Sequence, residues 1–417
     1  MMEQVRTTVL ADGVTVVTEA MDGVRSVTLG VWVDVGSRDE DDANAGASHF
    51  LEHLAFKGTE SLNAREIAER VDAMGGDMNA FTTKEYTAFH LRSLDEDAEE
   101  GLSLLCDIVS APALRPEEVA SEQRVILEEI AMRADEPDEL CHELLYNARF
   151  PSHPLGREVA GSAETVSAMT PDTIRAFHSS TYGPHTTVVA AAGSLDHGRI
   201  VKLVAERLRL PTDSGRVDRV GPAAVPQNVV TMQDDTEQVH VAVALNGYPR
   251  AHGDRYAWGV VDHVLGGGLS SRLFQEIRES RGLAYSVYSY RSTYEDAGFT
   301  GISFGTAREH LDEVLDLVRD ELEKLRTGGV QDVELARCKR SLRGGVAMAM
   351  EDTGSRMTRL GRGQLLMGEV PSLEEVLART DAVTLADCRR VIDHMLSGPR
   401  TISVVGPVDF VGHSLVS

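Results

Sequence analysis

The sequence predicts an α+β fold built twice over: two homologous domains, each a mostly antiparallel sheet with packed helices. Three observations predict it. Short period-two strand patterns, the first two joined by a hairpin signal, are mixed with helical patterns rather than segregated from them. The order of those patterns in the first half returns, weakly, in the second. The chain, at 417 residues, also exceeds what one ordinary core serves. Between the halves, residues 210–227 lose all periodicity and scatter Pro211, Gly215, Gly221, Pro222 and Pro226 among polar residues, which reads as a linker. Domains spanning residues 1–211 and 226–417 follow from it.

The elements can be justified in order. Residues 5–10 and 14–18 are short β-type runs around Ala11-Asp12-Gly13, a hairpin signal. Val27, Leu29, Val31, Val33 and Val35 alternate with Thr28, Gly30, Trp32 and Asp34, a half-buried strand. An acidic loop then leads into a helix ending near Phe56. A second helix over 64–74 stops at Gly75-Gly76, where a glycine C-cap is expected. Strands over 77–83 and 86–92 precede helical patterns over 97–109, 116–133 and 139–148. A helix opened by Pro171, a strand over 187–192 and a helix after Asp196 close the first half. In the second half, residues 240–246 alternate like the strand that ends near Val35. Residues 255–265 are again helical, 284–290 and 298–305 again strands, and 309–325 again a helix. Aligning the copies sets Gly259 under His49, Asp262 under Glu52 and His263 under His53, so the second copy lacks the first histidine.

Bulk composition excludes some functions. The chain is 42% hydrophobic and 26% charged, as a soluble globular protein is. With 41 basic against 66 acidic residues its formal charge is −25, which disfavours nucleic acid and anionic membrane surfaces as partners and suits basic peptides. Cys106, Cys141, Cys338 and Cys388 form no C-x-x-C pair and read as reduced, buried thiols. The first nine residues show neither a basic region leading into an apolar stretch nor a basic amphipathic leader, and no apolar run reaches transmembrane length. A cytoplasmic protein is the expectation.

The most informative stretch is Ser48-His49-Phe50-Leu51-Glu52-His53-Leu54. On a helix, His49 and His53 project from one face, one above the other. Two imidazoles so spaced reach one metal ion, and Glu52 beside them can approach a water on it. With a carboxylate from elsewhere this donor set suits Zn²⁺ with one open position. The segment 116–133 offers candidates. With Ile126 at 0°, Glu122 falls near about −40° and Glu129 near about −60° on the edge of the apolar stripe, whereas Glu128 at about −160° faces water. A carboxylate pair beside a core stripe needs a partner, and a metal is one.

The run His49-Phe50-Leu51-Glu52-His53-Leu54-Ala55-Phe56-Lys57-Gly58-Thr59 resembles the inverted zinc motif of the pitrilysin/insulinase family of metallopeptidases, closest in wording to its mitochondrial-processing-peptidase-like branch. The resemblance continues through residues 76–87, His153-Pro154-Leu155-Gly156, Ser271-Arg272-Leu273-Phe274 and Gly282-Leu283-Ala284-Tyr285. In that family a glutamate about seventy-six residues after the second histidine is the third ligand, and here that position is Glu129. The resemblance implies Zn²⁺ on His49, His53 and Glu129, with Glu52 as general base and Glu122, seven residues before Glu129, as support for the ligands. It implies a zinc-dependent endopeptidase of extended or unfolded peptides. It also implies that Asn79, Ala80 and Phe81 lie on an edge strand that pairs with substrate, where the plain alternative is an internal strand of the sheet. Arg278 and Tyr285 match an arginine–tyrosine pair that grips substrate and steadies the developing oxyanion. Since the family's chamber takes four such domains, a homodimer is expected. The rivals are a non-catalytic assembly subunit, which would typically have lost motif residues, and a catalytic subunit needing a different partner chain.

Two features read as decoys. Gly266-Gly267-Gly268 has no following Gly-Lys-Ser/Thr and is a turn, not a phosphate loop. Asp39, Glu40, Asp41 and Asp42 lack EF-hand spacing and read as a solvated loop. His142, His178, His185, His197, His252, His263 and His310 read as surface or capping residues.

Overall fold

The computed structural model describes residues 5–223 and 228–408. The beginning of the expected second domain at residue 226, the end of the linker and the two chain ends lie outside the described residues. Eleven strands are described: β1 (Val5–Val9), β2 (Thr15–Ala20), β3 (Ser26–Val33), β4 (Asp77–Thr82), β5 (Thr87–Leu94), β6 (Thr187–Gly193), β7 (Asn228–Gln233), β8 (Val239–Asn246), β9 (Ala284–Thr293), β10 (Gly298–Thr306) and β11 (Thr401–Gly406). The helices up to the linker are α1 (Ala47–Ala55), α2 (Ala64–Ala73), α3 (Ala98–Ser110), α4 (Pro116–Ala134), α5 (Pro137–Arg149), α6 (Ala163–Ala168), α7 (Pro171–Thr181) and α8 (His197–Arg207). Beyond it come α9 (Arg255–Leu265), α10 (Leu311–Gly328), α11 (Asp332–Ala349), α12 (Thr353–Met367), α13 (Leu373–Asp381) and α14 (Leu385–Leu396).

The strands form two sheets with matching topology, ordered β1-β2-β6-β3-β5-β4 and β7-β11-β8-β10-β9. In each, one neighbouring pair is parallel, β2 with β6 and β11 with β7, and the rest are antiparallel. Dropping β1 from the first sheet superposes the two orders strand for strand. That is the duplicated α+β architecture in physical form.

Two compact units result, and neither is a continuous stretch. The first takes in the described parts of Met1–Ile130, Arg157–Arg219 and Val346–Leu373, the second those of Ala131–Gly156, Val220–Gly345 and Glu374–Ser417. The sequence reading drew unbroken domains at 1–211 and 226–417, with 139–148 in the first. The difference has a physical reason. The central strands β3 and β6 are buried on both faces. Nearby helices cover only the side where Leu29, Val31, Phe50, Leu102 and Ile126 meet. The opposite side, with Val17, Trp32, Ala190 and Ala192, is covered by Met357 and Leu360 of α12, from the far end of the chain. In the second unit α5 lies on β8 and β11, and Cys141 and Leu145 join Ala242, Ala244, Phe299 and Val405 in one cluster.

Polar anchors fix α12 on the first sheet. Thr353 and Thr28 share a buried hydroxyl–hydroxyl bond of 2.8 Å, and Trp32 Nε1 donates to Met357 Sδ at 3.2 Å. Arg356 pairs with the wholly buried Glu19. Gly361 makes the approach possible, since a Cβ there would lie 2.2 Å from Trp32 Nε1. Gly361→Ala should therefore destabilise the protein by about 1–3 kcal/mol, as overpacking of a filled core does. Urea unfolding measures it, and an unchanged midpoint would mean that α12 is not held against Trp32.

Candidate metal centre

The site begins with how α1 starts. Its N-cap is Gly46, whose φ of +97° suits glycine and whose side chain can cap nothing. Glu40 does the capping from the preceding loop: the N–H of Gly46 donates to Oε2 at 2.8 Å and that of Ser48 to Oε1 at 2.7 Å. Arg157 ties that loop down by donating to the carbonyl of Glu40 at 2.5 Å and to Asp42 at 2.5 Å. This corrects the reading of residues 39–42 as a solvated loop. Asp39 and Glu40 are buried, with Arg219 bridging both oxygens of Asp39 at 2.8 Å and Arg38 paired to Glu85 at 2.6 Å; only Asp41 and Asp42 are exposed. Burial pushes the Glu40 carboxyl up to about 7, against the pull of its two N–H donors and Arg157.

One turn apart on α1, His49 and His53 stand with ring centroids 4.6 Å apart. Glu129, on α4, reaches both: its Oε2 lies 3.7 Å from Nε2 of His49 and 3.7 Å from Nε2 of His53. One donor atom from each of the three lies within 4.8 Å of the others, the only such group of three or more His, Cys, Asp or Glu among the described residues. Tetrahedral zinc with bonds near 2.0–2.1 Å sets its ligand atoms about 3.4 Å apart, and the two 3.7 Å separations from Glu129 lie within a few tenths of an ångström of that spacing.

The surroundings fit a metal as well. Glu122, buried two turns before Glu129 on the same stripe edge, accepts from His53 Nδ1 at 3.2 Å and from Lys57 Nζ at 2.8 Å. A proton held on Nδ1 leaves the lone pair on Nε2, directed to the Glu129 side, which is the arrangement of a carboxylate-oriented histidine ligand. Glu128 is exposed. Glu52 is half-buried and accepts from the Thr82 hydroxyl through Oε2 at 2.6 Å. Burial raises its carboxyl from the ordinary value. Thr82 and the nearby His53 oppose that rise, and Glu129 adds to it.

The remaining sequence candidates fall in two places. Asn79, Ala80 and Phe81 lie in β4, which is an edge strand of the first sheet and not an internal one. Asn79 is exposed and its Oδ1 accepts the Ala80 N–H at 2.8 Å, whereas Phe81 packs edge-on against Trp32 at 5.8 Å. Arg278 and Tyr285 belong to the second unit. There Arg278, on the π-helical turn Phe274–Glu279, stacks its guanidinium 4.8 Å from the Tyr285 ring centroid. Tyr285, on the edge strand β9, is 79% exposed. Sequence reasoning missed Arg157 altogether, placed Glu40 in a solvated loop, and quoted Thr82 and Lys57 without giving either a role. It also read His178 as surface or capping, but that ring is buried and bonds the Val109 carbonyl at 2.9 Å.

In the second unit the aligned position is filled differently. A Cβ on Gly259 would come within 3.2 Å of the Arg291 guanidinium, whose Nε lies 3.5 Å from Asp262. Ser289 donates to the same carboxylate at 2.7 Å. A covalently attached cation thus accompanies the carboxylate aligned with Glu52.

Two outcomes follow. Glu122→Gln should weaken zinc binding about ten- to a hundredfold, the usual effect of losing a ligand's outer partner; competition with a chromophoric chelator reads it, and unchanged affinity would free His53 from dependence on Glu122. For Glu40 the sign is that of a carboxyl raised by folding: its contribution to stability is whole below the ordinary 4.5 and is lost as pH rises through about 7. The stability of Glu40→Gln relative to wild type should therefore rise across that window and level off on either side of it. A pH-independent gap between their unfolding midpoints would contradict this.

Comparison with known proteins agrees with the geometry. Residues 15–163 match the family model described as insulinase (peptidase family M16), and residues 168–342 the one described as the peptidase M16 inactive domain. The second description accords with Gly259 and Arg291. An uncharacterized zinc protease of Streptomyces coelicolor is 42% identical over 412 residues, covering 97% of this chain and 90% of that protein. One of Bacillus subtilis is 36% identical over 396 residues, covering 95% and 97%. Among solved structures, a peptidase M16 inactive domain from Pseudomonas fluorescens has a TM-score of 0.91 at 23% identity, covering 97% of this chain and 98% of that one. A protease from Helicobacter pylori has a TM-score of 0.89 at 22% identity, covering 98% and 100%. The chain belongs to the insulinase family, peptidase family M16.

Proposed function

We propose that this protein is a zinc-dependent endopeptidase that hydrolyses extended or unfolded peptides. The observation that carries the reading is the convergence of His49, His53 and Glu129, with Glu122 on the outer nitrogen of His53 and Glu52 alongside. When held by the three ligands, zinc supplies a Lewis acid that activates water and polarises a carbonyl at neutral pH. Glu52 takes the proton of the attacking water and hands it to the departing amine; with Oε2 engaged by Thr82, Oε1 is the oxygen that does so. The relatives' description as zinc proteases supports the same reading, and the full motif set speaks against a non-catalytic subunit.

Main-chain pairing along the free edge of β4 would hold substrate in extended form at Asn79, Ala80 and Phe81 with little demand on its side chains. Ala80 can join that pairing only when the Asn79 side chain releases its N–H. A formal charge of −25 favours basic peptides. In this proposal Tyr285 donates to the oxyanion and Arg278 holds substrate backbone, within a cytoplasmic homodimer.

The test is hydrolysis of an internally quenched basic peptide by the zinc-loaded chain, with Glu52→Gln beside it. Wild type should cleave; the variant should lose turnover by at least about a hundredfold, the scale of general acid–base catalysis, with its zinc retained. Full activity in Glu52→Gln would sink the mechanism.

A further inference from the structure

Strand β4 turns alternate residues to opposite sides. Met78 and Ala80 join the core on the α1 side, while Phe81 packs across Trp32 and Tyr86 on the other. Thr82 therefore faces α1, and its hydroxyl meets Glu52 at 2.6 Å. The direction of that bond is fixed. A carboxylate only accepts, so Thr82 donates. Its cross-strand partner Thr87 gives its own proton to the Val35 carbonyl at 2.9 Å, which leaves the Thr82 proton to Glu52. A hydroxyl–carboxylate bond this short belongs with the strong, charge-assisted class. Glutamate has three side-chain torsions, and pinning one oxygen to a strand selects both its rotamer and the plane of its carboxylate.

We infer that Thr82 is a positioning residue for the hydrolysis, holding Glu52 through Oε2 so that Oε1 is presented to water. The inference rests on the reading of Glu52 as the proton acceptor. It also assigns the strand a second task. Thr82 directly follows Asn79, Ala80 and Phe81, so the segment proposed to align the peptide also carries the hydroxyl that aligns the base. Substrate and base share one rigid reference, and that matters because a displacement of about 1 Å in a reacting group can cost a hundredfold in rate.

The experiment compares wild type, Thr82→Val, which keeps the shape and removes the donor, and Thr82→Ser, which keeps the donor. Zinc content and unfolding temperature are measured first. If Val disturbs either, Thr82→Ala replaces it. Two readouts follow: kcat and KM on the quenched peptide, and calorimetric affinity of the zinc-loaded proteins for a peptide hydroxamate, a probe that chelates zinc and hydrogen-bonds the neighbouring carboxylate. Thr82→Val should lower kcat about ten- to a hundredfold with KM within about threefold, and should weaken the hydroxamate about tenfold. Thr82→Ser should restore most of both. Wild-type kcat and hydroxamate affinity in Thr82→Val would overturn the inference, as would a Ser variant as impaired as Val. If wild type cleaves no peptide, it is the proposed function that fails, and the hydroxamate comparison still decides the role of Thr82.

Discussion

A sheet whose central strands are apolar on both faces must be covered twice, and most of this architecture answers that demand. β6 is buried along its whole length, and β11 matches it in the second sheet. Most helices interleaved with each sheet's strands in sequence settle on one face. The other face needs a helix that local sequence does not provide, and α12 and α5 supply it. Buried polar anchors mark both fits: Thr28 with Thr353 on the first sheet, and Cys141 with Ser403 on the second. Of the five boundaries between the compact units, those after Ile130, Gly345 and Leu373 fall inside α4, α11 and α13. Glu129 sits at the end of the α4 segment that stays with the first unit.

The metal centre is a meeting of three elements whose sequences otherwise serve packing. α1 buries Phe50, Leu51 and Leu54 and turns its histidines to the remaining side. α4 contributes only Val119, Glu122 and Ile126 to the buried interior, so a carboxylate takes a core position. Such a group is costly to bury without partners, and His53 and Lys57 are those partners. Lys57 is thereby more than a charge within a recognisable motif, since it balances the group that orients His53. The second unit shows the alternative. There Arg291 brings the positive charge on the chain itself, Gly259 leaves it room, and the Asp262 carboxylate meets both Arg291 and Ser289.

What the sequence disclosed was local. The i, i+4 histidines, the glutamates on one helix edge and the alternation of β3 are patterns within a few turns or strand residues, and each is visible without knowing the fold. The strand order of both sheets and the end of the chain were not visible. β7, β11 and α11 to α14 carried no assignment, and α5 was read as a helix but not as one that packs on the second sheet. An amphipathic helix declares that it has an apolar face, not which sheet that face will cover. The loop around Asp39 and Glu40 misled for the same reason. Its charges read as solvated because their partners, Glu85, Arg157 and Arg219, lie between about fifty and two hundred residues away. Thr82 sat inside a quoted stretch, yet nothing in its neighbours ties it to Glu52, thirty positions earlier.

The exchange of helices bears on how the chain is made. Trp32 waits for Met357, 325 positions later, and Cys141 waits for Ser403, 262 positions later. A ribosome that has delivered the whole first sheet has not yet delivered the helix that covers Val17, Trp32 and Ala190. Until α12 emerges, that surface is open to water and to other nascent chains, the circumstance in which large proteins aggregate or engage chaperones. With contacts so distant in sequence, closing the structure is slow compared with forming its helices. The duplicated halves look like two proteins in series, but the first sheet stays uncovered on one face until most of the second half has been translated.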